Sequence, residues 1–420
     1  MRVLIVGSGT KEYTLAKAFK ELSNVDIVFV APGNENIKEI ANCVDIAPGN
    51  IAEILEFAQA NEISLTVTFN EDAISGGIAD EFNKADLMIF APTKDASRIT
   101  TSKSVAKKFM YKTKIMTPKF AVLDKESAAL DYVRNSKYPL IIKNDTHLDN
   151  LPPIVCQTVA QARREVELNF IAQNKKIIIE DFIQGLELSF YVITDGYNAI
   201  PIMAAVPYKY SLDDTGGALT SGMGAYAPAQ DVDRETERKI LQMIIYPALS
   251  ELARNDNPYI GILGVDLIVT PEQKIYAIEF NSCINEPDLQ CITELMDANP
   301  YDLMRAAIVG SLADDYNYIN TKPGAAIAAV LSAPNYGKIN LKNAIIEGLD
   351  ALDDNINIVP GDIKKNEYLE YRTNGRRVLI ASTHASTLAN ARKNLYENLE
   401  LINYRDEKYL KNIGVLCVGD

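Results

Sequence analysis

Four groups of residues, arriving in a fixed order, carry the chemistry of this chain. A lysine-rich helix read over Thr101–Tyr111 brings Lys103, with Lys107 and Lys108 beside it, and the apolar run Leu140–Lys143 closes on Lys143. The run Lys176–Ile183 holds the acidic pair Glu180 and Asp181, then Phe182, with Glu187 soon after. The run Lys274–Asn281 ends in Glu279, Phe280 and Asn281. Ammonium groups neutralise phosphate. Backbone at Glu180–Phe182 can hydrogen-bond the edge of an adenine, and Glu187 can hold ribose hydroxyls. Glu279 and Asn281 stand two apart on a strand, so they share a face and offer hard oxygens to Mg²⁺. Asp266 falls near the same end of the hairpin formed by Gly261–Thr270 and Lys274–Asn281.

The elements that must position these groups follow from apolar periodicity. Residues 1–92 alternate short apolar runs (Val3–Val6, Asp26–Val30, Ser64–Phe69, Asp86–Ala91) with helical stretches (Glu12–Leu22, Asn50–Ala60). Short apolar runs between helices predict a parallel sheet covered on both faces. The first strand–helix turn, Gly7–Thr10, lacks the third glycine of a dinucleotide fingerprint, because Glu12 stands there. What remains is a tight turn at a helix N-terminus, able to take an anion. Strands at Lys119–Leu123, Leu140–Lys143, Lys176–Ile183 and Leu186–Thr194, with helices at Ser127–Asn135 and Val159–Ile171, predict a mixed α+β middle. Asp213–Tyr226 holds four glycines in nine positions and reads as a loop, either flexible or ligand-contacting. Val232–Asn255 reads as one long helix, and residues 323–420 as a last unit with strands at Ala325–Leu331 and Arg377–Ala381.

At 420 residues, two to four domains are expected. A composition 47% hydrophobic and 23% charged is globular, and a formal net charge of −14 argues against nucleic acid or an anionic membrane as partner. The five cysteines are widely spaced without a C-x-x-C, as expected of reduced thiols in a cytosolic protein. His147 and His384 are the only histidines, too few for a histidine metal centre. The first apolar run is too short for a signal peptide and no stretch reaches eighteen apolar residues, so the expectation is a soluble, cytoplasmic protein.

The order of the four groups is that of an ATP-grasp enzyme, and the chain resembles the glycinamide ribonucleotide synthetase family, the phosphoribosylamine–glycine ligases of purine synthesis. The matching pieces run from end to end: VLIVGSG, APGN at Ala31–Asn34, PTK at Pro92–Lys94, Ser102–Lys103, IIIEDFIQGLELSF, SGMGAYAP at Ser221–Pro228, YIGIL at Tyr259–Leu263, IEFN, RRVLIAS and KNIG. The resemblance implies an ATP-grasp fold in a multidomain α/β and α+β chain. Its parts would be an N-terminal doubly wound parallel α/β domain (residues 1–100), a linker helix (101–122), a small lid (123–188), the ATP-grasp core (189–320) and a C-terminal α+β domain (321–420). It implies a ligase forming a C–N bond: ATP phosphorylates a carboxylate, an amine attacks the acyl phosphate, and ADP and phosphate leave. It further implies ATP contacts at Lys103, Lys143, Glu180, Asp181, Phe182 and Glu187, and Mg²⁺ or Mn²⁺ on Glu279 and Asn281. Asp266 stands where the family usually has glycine, and joins the metal set by its likeness to other ATP-grasp enzymes, many of which carry an acid there as a metal ligand. Catalytic roles would fall to Lys143, Lys209 and Arg377, and the glycine-like carboxylate and phosphoribosylamine-like amine to Gly7, Gly9, Asn34, Glu71, Asp214, Gly222, Met223 and Gly224. A monomer or weak homodimer is expected.

Departures from the family pattern cluster at ligand contacts. The glycines of its phosphate loop fall on Thr146, Asn150 and Pro152, its loop lysine falls on Leu151, and Pro152 and Pro153 have no N–H to give. Losing two or three charge-assisted hydrogen bonds at about 1.5–3 kcal/mol each weakens the phosphate hold by roughly 3–9 kcal/mol. The family's arginines at Lys11 and Cys283 are gone, its D-H-K-R run is Pro207–Tyr210, and Gly375, Arg376 and Arg377 stand for its G-G-R. Three function classes are compatible with this pattern: the family ligase itself, an ATP-grasp ligase with another carboxylate or amine, and a catalytically weak paralogue kept for binding or regulation.

Overall fold

The structure is a computed structural model that describes residues 1–145, 153–172, 176–211, 219–334 and 339–415. The replaced phosphate loop at 146–152, His147, Asp214 and Cys417 therefore lie outside the described residues.

Residues 1–90 build a parallel sheet of five strands in the spatial order Asn42–Cys43, Ile27–Pro32, Arg2–Gly7, Leu65–Thr68, Ile89–Phe90. The chain winds outward from the central strand in both directions, the doubly wound arrangement expected. Val3–Val6 are completely buried because helices cover both faces.

A four-stranded sheet, ordered Phe120–Leu123, Ile177–Asp181, Leu140–Asn144, Ile154–Cys156, forms the small unit that carries Lys143 and Glu180. Helices Glu126–Arg134 and Val159–Ile171 pack on it around Ala129, Val133, Ala162 and Val166.

The largest sheet has eight strands. Its order is Ile275–Asn281, Ile260–Val269, Leu186–Asp195, Ala199–Tyr210, Leu219–Ala227, Ala325–Ser332, Arg377–Ala385, Asn357–Pro360. The boundary expected at 188/189 falls inside the strand Leu186–Asp195, and the one at 320/321 falls in a connection between strands of this same sheet. A further sheet of three strands (Leu341–Ile345, Tyr371–Gly375, Ile363–Lys365) stands beside its far end.

Three elements differ from the sequence expectation. The glycine-rich stretch is not a loop where it is described: Leu219–Ala227 is a central strand. Its glycines answer to close packing rather than mobility. Gly222 has φ of +111°, and a side chain there would run into the carbonyl of Glu286. The long helix is broken into Arg234–Ile240, a π-helical turn Leu241–Ile245 and Tyr246–Arg254. Pro247, which lacks an N–H, stands just after the turn and cannot continue the i→i−4 ladder. The lysine-rich helix is interrupted at Ser102, so Arg98–Thr101 precedes a separate helix Lys103–Lys112. Cys156, Cys283 and Cys291 are free and buried as expected, and Cys43 is free and half-buried.

Candidate active site

The start of the helix Lys103–Lys112 is fixed by the strand that bears Lys143. Asp145, two residues beyond Lys143, accepts from the Ser104 backbone N–H at 2.8 Å and from the Ser102 hydroxyl at 2.9 Å, and its carbonyl accepts from the Lys103 N–H at 2.8 Å. A carboxylate at a helix N-terminus is where the macrodipole favours one. This anchorage sets Lys103 and, one turn on, Lys107 on the same face.

These lysines enter a ladder of alternating charges. Lys107 Nζ lies 2.8 Å from Glu180, Lys143 Nζ 2.9 Å from Glu180 and 3.1 Å from Glu279, and Lys103 Nζ 2.7 Å from Glu279. Lys143 is opposite Ile178 in the small sheet, so Glu180 is its diagonal neighbour on one face. Glu180 and Lys107 are each 1% exposed, whereas Glu279 is 16% exposed. Burial opposes the ionisation of Glu180, but the ammoniums of Lys143 and Lys107 outweigh it and hold the carboxyl below its ordinary value. Burial likewise opposes the Lys143 charge, yet Glu180 and Glu279 raise it above the usual lysine value. The ladder joins the small sheet to the largest one, because Glu279 belongs to the strand Ile275–Asn281.

Across that hairpin Asp266 is the direct partner of Glu279. Its carboxylate accepts from Ser189 at 2.7 Å and from Lys209 Nζ at 2.8 Å. Against the pull of burial, Asp266 and Glu187 raise Lys209 above the ordinary lysine value. Asn281, opposite Gly264, leaves its buried side-chain Nδ2 without a hydrogen-bond partner. Two carboxylates on adjacent strands, with the amide oxygen of Asn281 two residues beyond Glu279, form an oxygen-bearing set that fits a hard divalent cation; the unpartnered Nδ2 is a donor and takes no part in it. Among the described residues, no cluster of three or more histidine, cysteine or acidic side chains forms a metal site by itself. Beside the end of the small sheet, Phe182, Ile183 and Gln184 face Thr270 and Tyr276 across a groove.

The other sequence-predicted residues lie around the N-terminal turn and the glycine-rich strand. The Glu12 carboxylate accepts from the Gly9 N–H at 2.6 Å and folds back over Gly7. The anion held by that helix N-terminus is thus the chain's own, a correction to the turn read as able to take an external one. Burial raises the Glu12 carboxyl above its ordinary value. Asn34 donates to the Ser8 carbonyl at 2.7 Å and accepts from the Ile37 N–H at 2.9 Å. Glu71 opens the helix Glu71–Gly76. Met223 is in the hydrophobic core rather than on a ligand-facing loop, and Gly224 packs against Ile413. Arg377 donates to the Gly222 carbonyl at 2.8 Å.

The segment after Asn281 closes on the N-terminal turn. Thr10 donates to Glu286 at 2.7 Å, and Lys11 Nζ meets Cys283 Sγ at 2.9 Å, joining two positions where the resemblance placed arginines. Sequence reasoning gave no role to Lys107, Asp145 or the buried pair Tyr191–Asp288, whose hydroxyl and carboxylate are 2.7 Å apart. The spacing of Lys107 from Lys103 was the available signal for the first; nothing local marks the pair.

Residues 1–100 match the family model for the phosphoribosylglycinamide synthetase N domain, and residues 101–289 match that for the phosphoribosylglycinamide synthetase ATP-grasp (A) domain. A phosphoribosylamine–glycine ligase of Neisseria meningitidis serogroup B is 33% identical over 420 residues, covering 99% of each chain. The crystal structure of a phosphoribosylamine–glycine ligase from Thermotoga maritima has a TM-score of 0.81 at 23% identity, over 98% of this chain and 100% of that one. The biotin carboxylase domain of Hydrogenobacter thermophilus 2-oxoglutarate carboxylase, crystallised with MgADP, ADP and bicarbonate, has a TM-score of 0.73 at 16% identity, over 97% and 91% of the two chains. These structural likenesses carry the fold.

Proposed function

The chain belongs to the phosphoribosylglycinamide synthetase family, and from that premise we propose that it is an ATP-dependent carboxylate–amine ligase of purine biosynthesis, joining glycine to 5-phosphoribosylamine. The carrying observation is the convergence of Lys103 and Lys143 on Glu279, across the hairpin from Asp266 and Lys209. Cations suited to a polyphosphate here neutralise carboxylates suited to a divalent ion. A nucleotide bringing both charges can exchange partners with them at little cost in unpaired charge.

In this reading Lys103 and Lys143 bind the ATP phosphates, the backbone of Glu180–Phe182 and the Glu187 carboxylate hold adenosine, and Asp181 closes that strand. Glu279, Asp266 and Asn281 would hold Mg²⁺ (or Mn²⁺), which when bound neutralises charge on the phosphate oxygens. Lys209 and Arg377 face the anionic centre formed as the carboxylate is activated. Glu71, Asn34 and Gly222 shape the substrate end, with Asp214 belonging to it by position in the chain. The protein would work in the cytoplasm as a monomer or weak homodimer.

A second reading, a ligase using a different carboxylate or amine, rests on the Lys11–Cys283 contact, where one ammonium and one thiol stand in place of two guanidiniums. The deciding experiment follows ADP release with ATP, Mg²⁺ and glycine, with and without freshly generated phosphoribosylamine. Release that depends on both supports the family reaction. Release that ignores phosphoribosylamine but answers to another amine, or that needs another carboxylate in place of glycine, supports the second reading, and no release with any carboxylate–amine pair defeats both.

A further inference from the structure

We infer that Lys107 is a positioning residue that neutralises Glu180 from behind and so leaves the charge of Lys143 available to an anionic ligand. This rests on the nucleotide reading of the site and extends it to a side chain that no ligand can touch. Lys107 is buried, and its Nζ is held between Glu180 at 2.8 Å and the Thr117 hydroxyl at 2.8 Å. Its one ionic contact in the ladder is Glu180, so Glu180 is the group through which it acts most directly on the ligand site.

Charge counting along the ladder gives the consequence. The five groups Lys107, Glu180, Lys143, Glu279 and Lys103 comprise three cations and two anions. When Glu279 turns to a divalent ion, Lys107 and Glu180 remain a self-neutralised pair, and Lys143 and Lys103 both present uncompensated charge. Without Lys107, the buried Glu180 carboxylate has Lys143 as its counter-ion, because a buried carboxylate is costly unless paired. One of the two charges offered to phosphate is then spent inside the protein. Burial, helped by the nearby Lys143 ammonium, lowers Lys107 below the ordinary lysine value, and the Glu180 carboxylate at 2.8 Å is what favours its charge.

The test compares ATP, ADP and adenosine binding by calorimetry in excess Mg²⁺, using the full chain and its variants Lys107→Met, Lys107→Arg and Lys107→Met/Glu180→Gln. Lys107→Met should weaken ATP by about 10- to 100-fold, the worth of one charge-assisted contact, while leaving adenosine within a few-fold. Lys107→Arg should stay near wild type. The double variant, which removes the carboxylate along with its counter-ion, should recover ATP binding to within a few-fold, and it carries the test if Lys107→Met does not fold. Equal loss for ATP and adenosine, unchanged ATP affinity in Lys107→Met, or no recovery in the double variant overturns the inference. If the wild-type chain fails to bind ATP at all, the nucleotide reading itself falls, and this role with it.

Discussion

Glu279 is the residue on which the nucleotide and metal assignments meet, because Lys103 and Lys143 both hold its carboxylate. Glu279→Gln keeps its shape and removes its charge. Calorimetry on that variant should show ATP binding no longer strengthened by Mg²⁺, with metal-free ATP bound at least as tightly as by wild type. A wild-type Mg²⁺ effect would remove Glu279 from the metal set. Asp288 gives a prediction in pH. It is fully buried, and burial raises its carboxyl from 3.8 to about 6 although the Tyr191 hydroxyl lowers it. A carboxyl raised on folding contributes stability that is present below the unfolded value and lost as pH rises through the folded one. Between about pH 4 and 6 the wild type should thus lose on the order of 1–3 kcal/mol through this group. Asp288→Asn should be the more stable protein at pH 8 and lose that advantage at pH 4 in denaturant titrations; a constant difference would refute the assignment. At this scale the kinds of chemistry were legible in the sequence, since Lys103, Lys143, Glu180 and Glu279 do come together. Lys107 and Asp288 were not, because burial and the identity of a partner are set by segments far away in the chain.

Among the elements, the helix Lys103–Lys112 depends on a residue outside it. Asp145→Ala removes the acceptor for the Ser104 N–H and the Ser102 hydroxyl, and should cost about 1–2 kcal/mol in chemical denaturation. Because Lys103 sits in the first turn, ATP affinity should fall several-fold along with stability; loss of stability with unchanged affinity would show that the turn does not place Lys103. Most strands and helices were readable from apolar period, including the hairpin that pairs Asp266 with Glu279. The stretch at Leu219–Ala227 was not, because glycine is a loop signal only until something packs against it. Here the Glu286 carbonyl and Ile413 demand its small size. The break at Leu241–Ile245 was signalled by Pro247, whose missing donor outweighs an otherwise helical pattern.

For the whole molecule, the doubly wound N-terminal sheet was legible because each short apolar run alternates with a helix. The order of the eight-stranded sheet was not, since strand pairing across a hundred residues leaves no local mark. In that sheet Leu219–Ala227 is paired on one side by Ala199–Tyr210 and on the other by Ala325–Ser332. A chain ending at residue 320 should therefore expose an unpaired edge and precipitate or bind amyloid dyes, whereas a soluble, cooperatively melting fragment would show that the sheet closes without its last strands. The same arrangement imposes a schedule on synthesis. Roughly a hundred residues separate the waiting strand from its partner, so at about 5–20 residues per second a ribosome leaves that edge open for roughly 5–20 s. During that interval the nascent polypeptide carries an unpaired row of backbone donors and acceptors, the kind of edge that other chains pair with unless it is covered.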